Sequence, residues 1–454
     1  MERKYIILTI AVILIAVSSL LFINKKEKKE EENTSTINAT VIGKTNDMLT
    51  IETLDNLIYT IKCNSDDIDL GNSVAIEYTG LLNQNSSIQD VSVLNYKVLD
   101  VVASNDIPDD WQDNGIFKQN YKLAYQKLKT MSLDEKIGQL LLVRYSEDKA
   151  VKDLSKYHFG GFVFFEKDFA SKTEQDVKDM ISNVQKNSKI PLLTAVDEEG
   201  GKIVRISSNP NLVSEKFKAS SELYNTGGLD LIKQDTINKS KVLSNLGLNV
   251  NLAPVVDVST NSSDYIYDRT LKQNTEVTAS FAKTVIEASK NTGVSYTLKH
   301  FPGYGNNSDT HQGSSLDNKS LDDIKKDDLP PFRSGIDAGA EAVLVSHNTV
   351  KAIDSANPAS LSKGVHNLLR NDLEFTGIVI TDDISMKALD SISNTTVNAL
   401  LAGNDLIITT DYEKSFNEIK QAISNKTLSE SLIDKLAFRV LSWKYYKNLI
   451  TDTK

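Results

Sequence analysis

The sequence has one cysteine and no surplus of positive charge, and each shortage excludes a class of protein. Cys63 stands alone among 454 residues, which excludes an internal disulfide framework and a cysteine-ligated zinc cluster. The formal net charge of −10 argues against a nucleic-acid partner, because phosphate binding needs a basic surface. The remaining composition, 40% hydrophobic and 25% charged, is that of a folded protein with one large domain and accessory segments.

Charged residues are absent from one long stretch near the N-terminus. Residues 5–23, "YIILTIAVILIAVSSLLFI", would form a helix of about 28 Å, close to the roughly 30 Å hydrocarbon thickness of a bilayer. A cleavable signal peptide is the alternative, but it usually has a shorter apolar run and a small-residue cleavage site. We predict a cytoplasmic N-terminus over 1–4, a transmembrane signal anchor over 5–23 and a charged disordered spacer over 24–35. The protein is then expected at the cell membrane, single-pass, with the rest of the chain extracellular.

The next segment has the pattern of a small antiparallel sheet. The runs "MLTIET", "LIYTIKC" and "SVAIEYTG" are rich in β-branched residues and are separated by Asn, Asp and Gly turns. This pattern predicts a small all-β, barrel-like domain over residues 36–103. A linker follows over residues 104–115.

The rest of the chain, residues 116–450, alternates short apolar runs with longer amphipathic stretches. A helix start is marked by Ser132 and Glu135, which have the spacing of a capping box. The apolar runs are "LLLVRY", "GGFVFFE", "PLLTAVDEE", "LNVNLAPVVDV", "VSYTLKHF", "EAVLVSH", "GIVITDD" and "NDLIITT". Such runs are typical of parallel strands buried on both faces, so we predict an α/β fold with a (β/α)8 TIM-type barrel. An open doubly wound sheet is the alternative.

Polar residues follow these runs directly. In a barrel the functional site lies at the carboxyl ends of the strands, so these side chains are expected to converge on one rim. They are Asp197, Asp257, Arg269, Lys299, His300, His347, Asp382 and Asp383. A further cluster lies in "LKHFPGYGNNSDTHQGSS", residues 298–315, which holds two of the five histidines of the chain.

These residue types favour one reaction class over its competitors. The chain has no Gly-rich phosphate loop and no nucleophile elbow. A rim of carboxylates, histidines and cations suits a polyhydroxylated substrate, and a carboxylate nucleophile with a proton donor is what retaining glycoside hydrolysis requires. Metal-dependent hydrolysis is the competitor, with Asp309, His311, His300 and His347 as candidate ligands.

Five motifs together resemble family-3 glycoside hydrolases, specifically the branch of bacterial β-N-acetylglucosaminidases. They are "SLDEKIGQLL", "VDEEGGKIVRI", "NLAPVVDV" with "YDRTL", "LKHFPGYG…DTH" and "VITDDISMKAL". The resemblance covers about residues 116–450, with the motifs in the family's order. It implies an exo-acting enzyme that removes terminal GlcNAc with retention. Nothing in the sequence calls for a metal or an organic cofactor.

The resemblance also implies roles for individual residues. Asp382 matches the nucleophile that forms the covalent glycosyl-enzyme, and Asp383 is expected to be supporting. His311, held by Asp309, matches the general acid/base, and a carboxylate partner fixes its tautomer and raises its basicity. The positions that bind the terminal sugar are Asp197, Arg269, Lys299 and His300, with His347 ranked below them.

Two departures from the family pattern bear on the substrate. Tyr304 stands where the pattern usually has a second histidine, which affects subsite details more than proton transfer. The sequence ends soon after the eighth run and a last predicted helix, "SESLIDKLAFRVLSWKYYKNLI", whereas the β-glucosidase branch adds a second α/β domain, so the glucosaminidase branch is favoured.

The expected partner is a GlcNAc-terminated oligosaccharide, either a peptidoglycan-derived muropeptide or a chitin-type chain. The alternatives are a β-N-acetylglucosaminide phosphorylase and a catalytically weak cell-wall-binding scaffold.

Overall fold

The computed structural model describes residues 34–45, 47–53, 57–83, 88–100, 107–304, 313 and 315–450, with only the backbone for 99 and 100. The predicted transmembrane anchor, residues 5–23, lies outside these residues. Among the helices that are described, none is both long enough and apolar enough to cross a membrane. The chain divides into two compact units, residues 1–101 and 102–454.

The first unit is a five-stranded antiparallel sheet, as the alternating pattern predicts. Its strands are β1 (Thr34–Lys44), β2 (Met48–Thr53), β3 (Ile58–Lys62), β4 (Ser73–Gly80) and β5 (Val91–Asp100). They are ordered β3-β2-β1-β4-β5, and every neighbouring pair is antiparallel. Alternate side chains form a separate core that includes Val41, Ile51 and Ile76. The three strands expected in this region are confirmed as β2, β3 and β4.

The second unit contains an eight-stranded parallel sheet that curls into a nearly closed barrel. Its strands are β6 (Leu141–Arg144), β7 (Gly161–Phe164), β8 (Leu193–Val196), β9 (Val250–Asn251), β10 (Ser295–Phe301), β12 (Ala342–Val345), β14 (Ile378–Thr381) and β15 (Ile407–Thr409). The order is β14-β12-β10-β9-β8-β7-β6-β15, so every apolar run of the sequence supplies one strand. The end strands meet at an Ile380–Leu406 bridge, and Thr381 N donates to Leu406 O at 3.1 Å.

Two short strands lie outside the barrel sheet, β11 (Leu316–Asp317) and β13 (Thr349–Val350), and they pair in parallel. The α-helices are Tyr121–Lys129, Leu133–Gln139, Ala150–Tyr157, Glu166–Phe169, Glu174–Lys186, Ser220–Asn245, Thr275–Ser289, Leu321–Asp323, Leu329–Asp337, Lys363–Asn367, Thr395–Ala402, Tyr412–Ser424 and Glu430–Tyr446. Short 3-10 helices cover Asp109–Trp111, Lys118–Asn120, Tyr267–Arg269, Ala359–Leu361 and Lys387–Leu389, and π-helical turns cover Ile324–Asp328 and Leu368–Asp372. The helix Ser220–Asn245 is interrupted at Gly227 and Gly228, whose backbone angles are not helical.

A local sequence signal explains where the helix Leu133–Gln139 begins. Ser132 and Glu135 form the predicted capping box, in which Ser132 N donates to Glu135 Oε2 at 2.7 Å and Glu135 N donates to Ser132 Oγ at 3.3 Å.

Within the stretch expected to be a linker, Trp111 is buried, and its ring lies 5.6 Å from that of Phe438 on the last helix. Residues 107–115 therefore pack as part of the barrel unit.

Candidate active site

Alternate residues of the barrel strands point to opposite sides, and contacts with the helices identify the outer side. Phe164 packs against Phe169 of the helix Glu166–Phe169, with ring centroids 6.0 Å apart. Leu298 lies against Gly335 of the helix Leu329–Asp337, where a Cβ atom would come within 2.6 Å of Leu298 Cδ1. The residues before and after Phe164 and Leu298 therefore face the barrel interior.

Register carries this assignment around the barrel, because aligned residues of parallel strands share a face. The aligned pairs on the inner face are Val163–Arg144, Val163–Ala195, Lys299–Leu344 and Leu344–Ile380. The inner positions at the carboxyl ends of the strands are consequently Arg144, Phe165, Asp197, Lys299 and Asp382. We call these five residues the mouth layer.

Two predicted sugar-binding residues of the mouth layer belong to a buried ionic network. Lys299 Nζ lies 2.8 Å from Asp197 Oδ1 and 2.7 Å from Glu199 Oε1. Glu199 also accepts from Arg269, at 3.0 Å from Nε and 2.7 Å from Nη2. The bidentate geometry of this last pair fixes the guanidinium plane at the mouth of the barrel. The structure thus brings Asp197, Lys299 and Arg269 together, as the sequence predicts.

Opposite charges hold this network ionised. Burial by itself raises the pKa of Glu199, but the charges of Arg269 and Lys299 outweigh it and hold that pKa far below its usual range. Burial alone would lower the pKa of Lys299, yet Asp197 and Glu199 raise it overall. The pKa of Arg269 is raised for the same reason, mainly by Glu199. The network therefore offers fixed donors and acceptors to a hydroxylated ligand.

His300 is oriented from both ring nitrogens. Its Nδ1 lies 2.8 Å from Asp257 Oδ2, and its Nε2 lies 3.2 Å from Arg269 Nη2. Because a guanidinium only donates, Nε2 accepts and the ring proton sits on Nδ1, where the Asp257 carboxylate accepts it. Asp257 Oδ1 also accepts from Tyr304 N at 2.6 Å, so one carboxylate positions both His300 and the following loop. The Tyr304 ring is buried, 5.6 Å from His300 and 5.8 Å from Tyr265.

The two neighbouring aspartates after β14 have different surroundings. Asp382 continues the strand, since its N–H donates to Val345 O at 3.0 Å and its half-buried side chain belongs to the mouth layer. Asp383 accepts from Ser385 N and Thr410 Oγ1, both at 2.9 Å, and so holds the loop that follows. The roles expected of Asp382 as nucleophile and of Asp383 as a supporting residue stay predictions.

His347 contacts the same loop. Its Nδ1 lies 2.7 Å from Ser360 Oγ, and its Nε2 lies 3.0 Å from Asp383 O. The ring is buried, so it positions the backbone next to Asp382. Its predicted contact with the substrate stays a prediction.

Asp309 and His311 lie outside the described residues, and their roles stay predictions. The residues that bracket them are fixed at the carboxyl-end rim of the barrel. Tyr304 sits beside His300, as described above, and Ser315 O accepts from Thr349 N at 2.7 Å. Tyr304 and Ser315, the described residues that flank Asp309 and His311, therefore both lie on the rim that carries the mouth layer.

The described residues contain no group of three or more His, Cys, Asp and Glu side chains arranged to hold a metal ion. Of the four candidate ligands, Asp309 and His311 are outside this set. The other two, His300 and His347, direct their ring nitrogens at protein groups.

Comparison with known proteins decides the family. The sequence profile of the glycosyl hydrolase family 3 N-terminal domain matches residues 132–443. The chain belongs to glycosyl hydrolase family 3. The nearly closed barrel described above agrees with the fold that the apolar runs predict.

Named relatives share most of this family-3 domain. The β-hexosaminidase LpqI of Mycobacterium tuberculosis is 30% identical over 332 residues, which cover 69% of this chain and 83% of LpqI. A β-hexosaminidase of Xanthomonas campestris pv. campestris is 31% identical over 291 residues, covering 62% and 86% of the two chains. A solved family-3 β-N-acetylglucosaminidase from Paenibacillus sp. str. FPU-7 superposes with a TM-score of 0.66 at 27% identity, covering 70% of this chain and 63% of that one.

Several residues at the mouth of this family-3 barrel are not predicted from the sequence. Glu199 receives no role, although it lies two residues after Asp197 and so could have been placed beside it. Asp257 is found at the end of a strand, but its pairing with His300 depends on tertiary structure. Arg144 and Phe165 also go unassigned, since an isolated Arg or Phe at a strand end gives no chemical signal.

Proposed function

We propose that this chain is an exo-acting, retaining β-N-acetylglucosaminidase. The observation that carries the proposal is the mouth layer, in which the Asp382 carboxylate shares one rim with Asp197 and Lys299. The chemistry named for the relatives, β-hexosaminidase and β-N-acetylglucosaminidase, agrees with it. Terminal GlcNAc is therefore the proposed sugar that the enzyme removes.

The reaction would proceed in two displacements. In the first, Asp382 attacks the anomeric carbon while His311 protonates the glycosidic oxygen, giving a covalent glycosyl-enzyme. In the second, His311 removes a proton from water, which displaces Asp382 and restores the β configuration. Asp309 would hold His311 in the required tautomer.

The buried network would bind the terminal sugar. Lys299 and Arg269 keep their positive charges and donate, while Asp197 accepts, so hydroxyl and N-acetyl groups find directed partners. His300, with its proton on Nδ1, completes this set beside Arg269. His347, whose Nε2 lies 3.0 Å from Asp383 O, would contact the sugar at the edge of this binding site.

The proposed location is the outer face of the cell membrane, with residues 5–23 as the anchor. An enzyme held there meets peptidoglycan fragments, so muropeptides with terminal GlcNAc are the proposed substrates. Chitin-type oligosaccharides are the second choice.

A soluble form beginning at Asn33 tests the proposal on a chromogenic β-GlcNAc glycoside, with and without phosphate. We expect release of free GlcNAc, abolished by Asp382→Ala and strongly reduced by His311→Ala. Asp390→Asn, an exposed aspartate of the loop after β14, serves as the matched control and should retain activity. Thermal unfolding of each variant separates lost chemistry from lost folding.

Two other results would replace the proposal. GlcNAc-1-phosphate as the main product in phosphate buffer would make the chain a phosphorylase. Absence of turnover, together with binding of cell-wall fragments, would make it a scaffold.

A further inference from the structure

The backbone of Asp383 contacts the proposed nucleophile directly. Asp383 N donates to Asp382 Oδ1 at 2.8 Å, so the carboxylate at the barrel mouth is held by the peptide group that follows it. On the other side, Asp382 N donates to Val345 O at 3.0 Å. The orientation of the Asp382 carboxylate therefore depends on where the backbone of Asp383 is fixed.

His347 fixes the other end of residue 383. Val345 of β12 aligns with Thr381 of β14 in the parallel sheet. His347 and Asp383 each lie two residues beyond this pair, and so they are neighbours where the two strands end. His347 Nε2 lies 3.0 Å from Asp383 O, and because a carbonyl oxygen only accepts, Nε2 carries a hydrogen and donates it. The buried imidazole thus holds the carbonyl of the residue whose N–H holds Asp382.

Ser360 stabilises the tautomer of His347 that this contact requires. Its Oγ lies 2.7 Å from His347 Nδ1, and in a neutral ring with its hydrogen on Nε2 this nitrogen accepts from the hydroxyl. The buried Ser360 is itself held from two sides, since its N donates to Ser346 O at 2.9 Å and its O accepts from Asn404 Nδ2 at 2.7 Å. The hydroxyl is thereby kept in place to donate to Nδ1.

We infer that His347, in the tautomer that Ser360 stabilises, is a positioning residue for the Asp382 carboxylate. It acts through the backbone of Asp383 and not on the reacting atoms. Nucleophilic attack needs a well-placed oxygen, and a displacement of about 1 Å can cost on the order of 10²-fold in rate. The inference rests on the proposed function, and it adds to the edge contact with the sugar that is proposed for His347.

Two substitutions of His347 differ in the hydrogen bond that they keep. His347→Phe fills the space of the ring without a donor, so kcat/KM on the chromogenic β-GlcNAc glycoside should fall by on the order of 10²-fold. His347→Gln places an amide N–H near the position of Nε2, and its kcat/KM should stay within about tenfold of wild type. The inhibition constant of free GlcNAc should rise less than about threefold in both variants, because one contact at the edge of the sugar adds little to binding.

Loss of a buried hydroxyl gives a second and milder test. Ser360→Ala removes the donor to His347 Nδ1 and should lower kcat/KM by roughly three- to tenfold. Ser442→Ala is the matched control, because Ser442 is also buried and its Oγ donates to Phe438 O at 2.7 Å within the last helix. This control should keep the wild-type kcat/KM, and equal values for the two serine variants would contradict the role of Ser360. Thermal unfolding shows that each variant is folded in the assay.

The proposed function and the inference fail in different ways. If the wild-type enzyme does not hydrolyse the chromogenic glycoside, the proposed function fails. If it does and His347→Phe keeps kcat/KM within about threefold, the inference is wrong. It is also wrong if His347→Gln loses as much as His347→Phe, since the hydrogen bond to Asp383 would then not matter. A rise in the inhibition constant of GlcNAc as large as the fall in kcat/KM would make His347 a sugar-binding residue instead.

Discussion

At the scale of single residues, the two aspartates after β14 differ in what they contact. Asp382 faces the barrel mouth, whereas Asp383 holds Ser385 and Thr410. Asp382→Asn should therefore lower kcat by on the order of 10⁴-fold, the scale seen when a catalytic nucleophile is removed. Asp383→Asn keeps an oxygen acceptor and should cost less than about tenfold. Steady-state kinetics on the chromogenic glycoside measures both, and equal losses would contradict the assignment.

Glu199 is predicted to matter for stability as well as binding. Glu199→Gln leaves Arg269 and Lys299 buried with one carboxylate fewer, so the free energy of unfolding at pH 7 should fall by roughly 3–5 kcal/mol. Glu222→Gln, which removes an exposed partner of Lys218, should change it by less than about 0.5 kcal/mol. Urea unfolding monitored by fluorescence gives both values.

The effect of Glu199→Gln on the free energy of unfolding should depend on pH. Because the pKa of Glu199 is lowered by folding, its stabilising contribution is fully present above its ordinary pKa of 4.5. The contribution declines as the pH falls below 4.5 and is lost once the pH has fallen through the folded value. The difference between wild type and Glu199→Gln should be constant from pH 6 to 8 and should shrink below pH 4.5. A difference that grows on acidification would contradict the ionised state of Glu199.

The sequence predicts a residue of this site when the evidence for it lies in the neighbouring residues. Asp197, Lys299 and Asp382 directly follow apolar runs, so the barrel hypothesis places them on one rim. Glu199 precedes Gly200 and Gly201, and an acidic residue is common in such a loop. Its ion pair with Arg269 is therefore visible only in the structure. Pairings between distant segments leave no mark in a single sequence.

At the scale of elements, the capping box of the helix Leu133–Gln139 gives a direct prediction. Ser132→Ala removes the acceptor for Glu135 N and should lower the free energy of unfolding by about 1 kcal/mol. Ser155→Ala, inside the helix Ala150–Tyr157 and exposed, has no capping role and serves as the control. Equal effects of the two substitutions, measured by urea denaturation, would contradict the cap.

The sequence predicts elements best where apolar periodicity and turn signals agree. All eight apolar runs became barrel strands because burial on both faces requires near-continuous apolar sequence. The antiparallel strands β1 and β5 are not among the predicted strands, since each is long and carries polar residues on one face. The sequence does not predict the interruption at Gly227 and Gly228, because its meaning depends on the helical segments on both sides.

At the scale of the whole molecule, the two units have separate cores. The core of the sheet unit runs from Ala39 to Ile76, and that of the barrel unit begins at Ile107. Every residue proposed for catalysis or sugar binding lies in the second unit. Removal of residues 1–101 should therefore leave kcat/KM on the chromogenic glycoside within about twofold of the intact soluble form. A large loss in a folded fragment would show that the sheet unit contributes to the site.

The central claim, retention through Asp382, is tested most directly by the configuration of the first product. Proton NMR recorded during the first minutes of hydrolysis distinguishes β-GlcNAc from α-GlcNAc before the anomers equilibrate. Two displacements at the anomeric carbon predict that the β anomer forms first. Initial formation of the α anomer would mean a single displacement by water, and the covalent role of Asp382 would be contradicted.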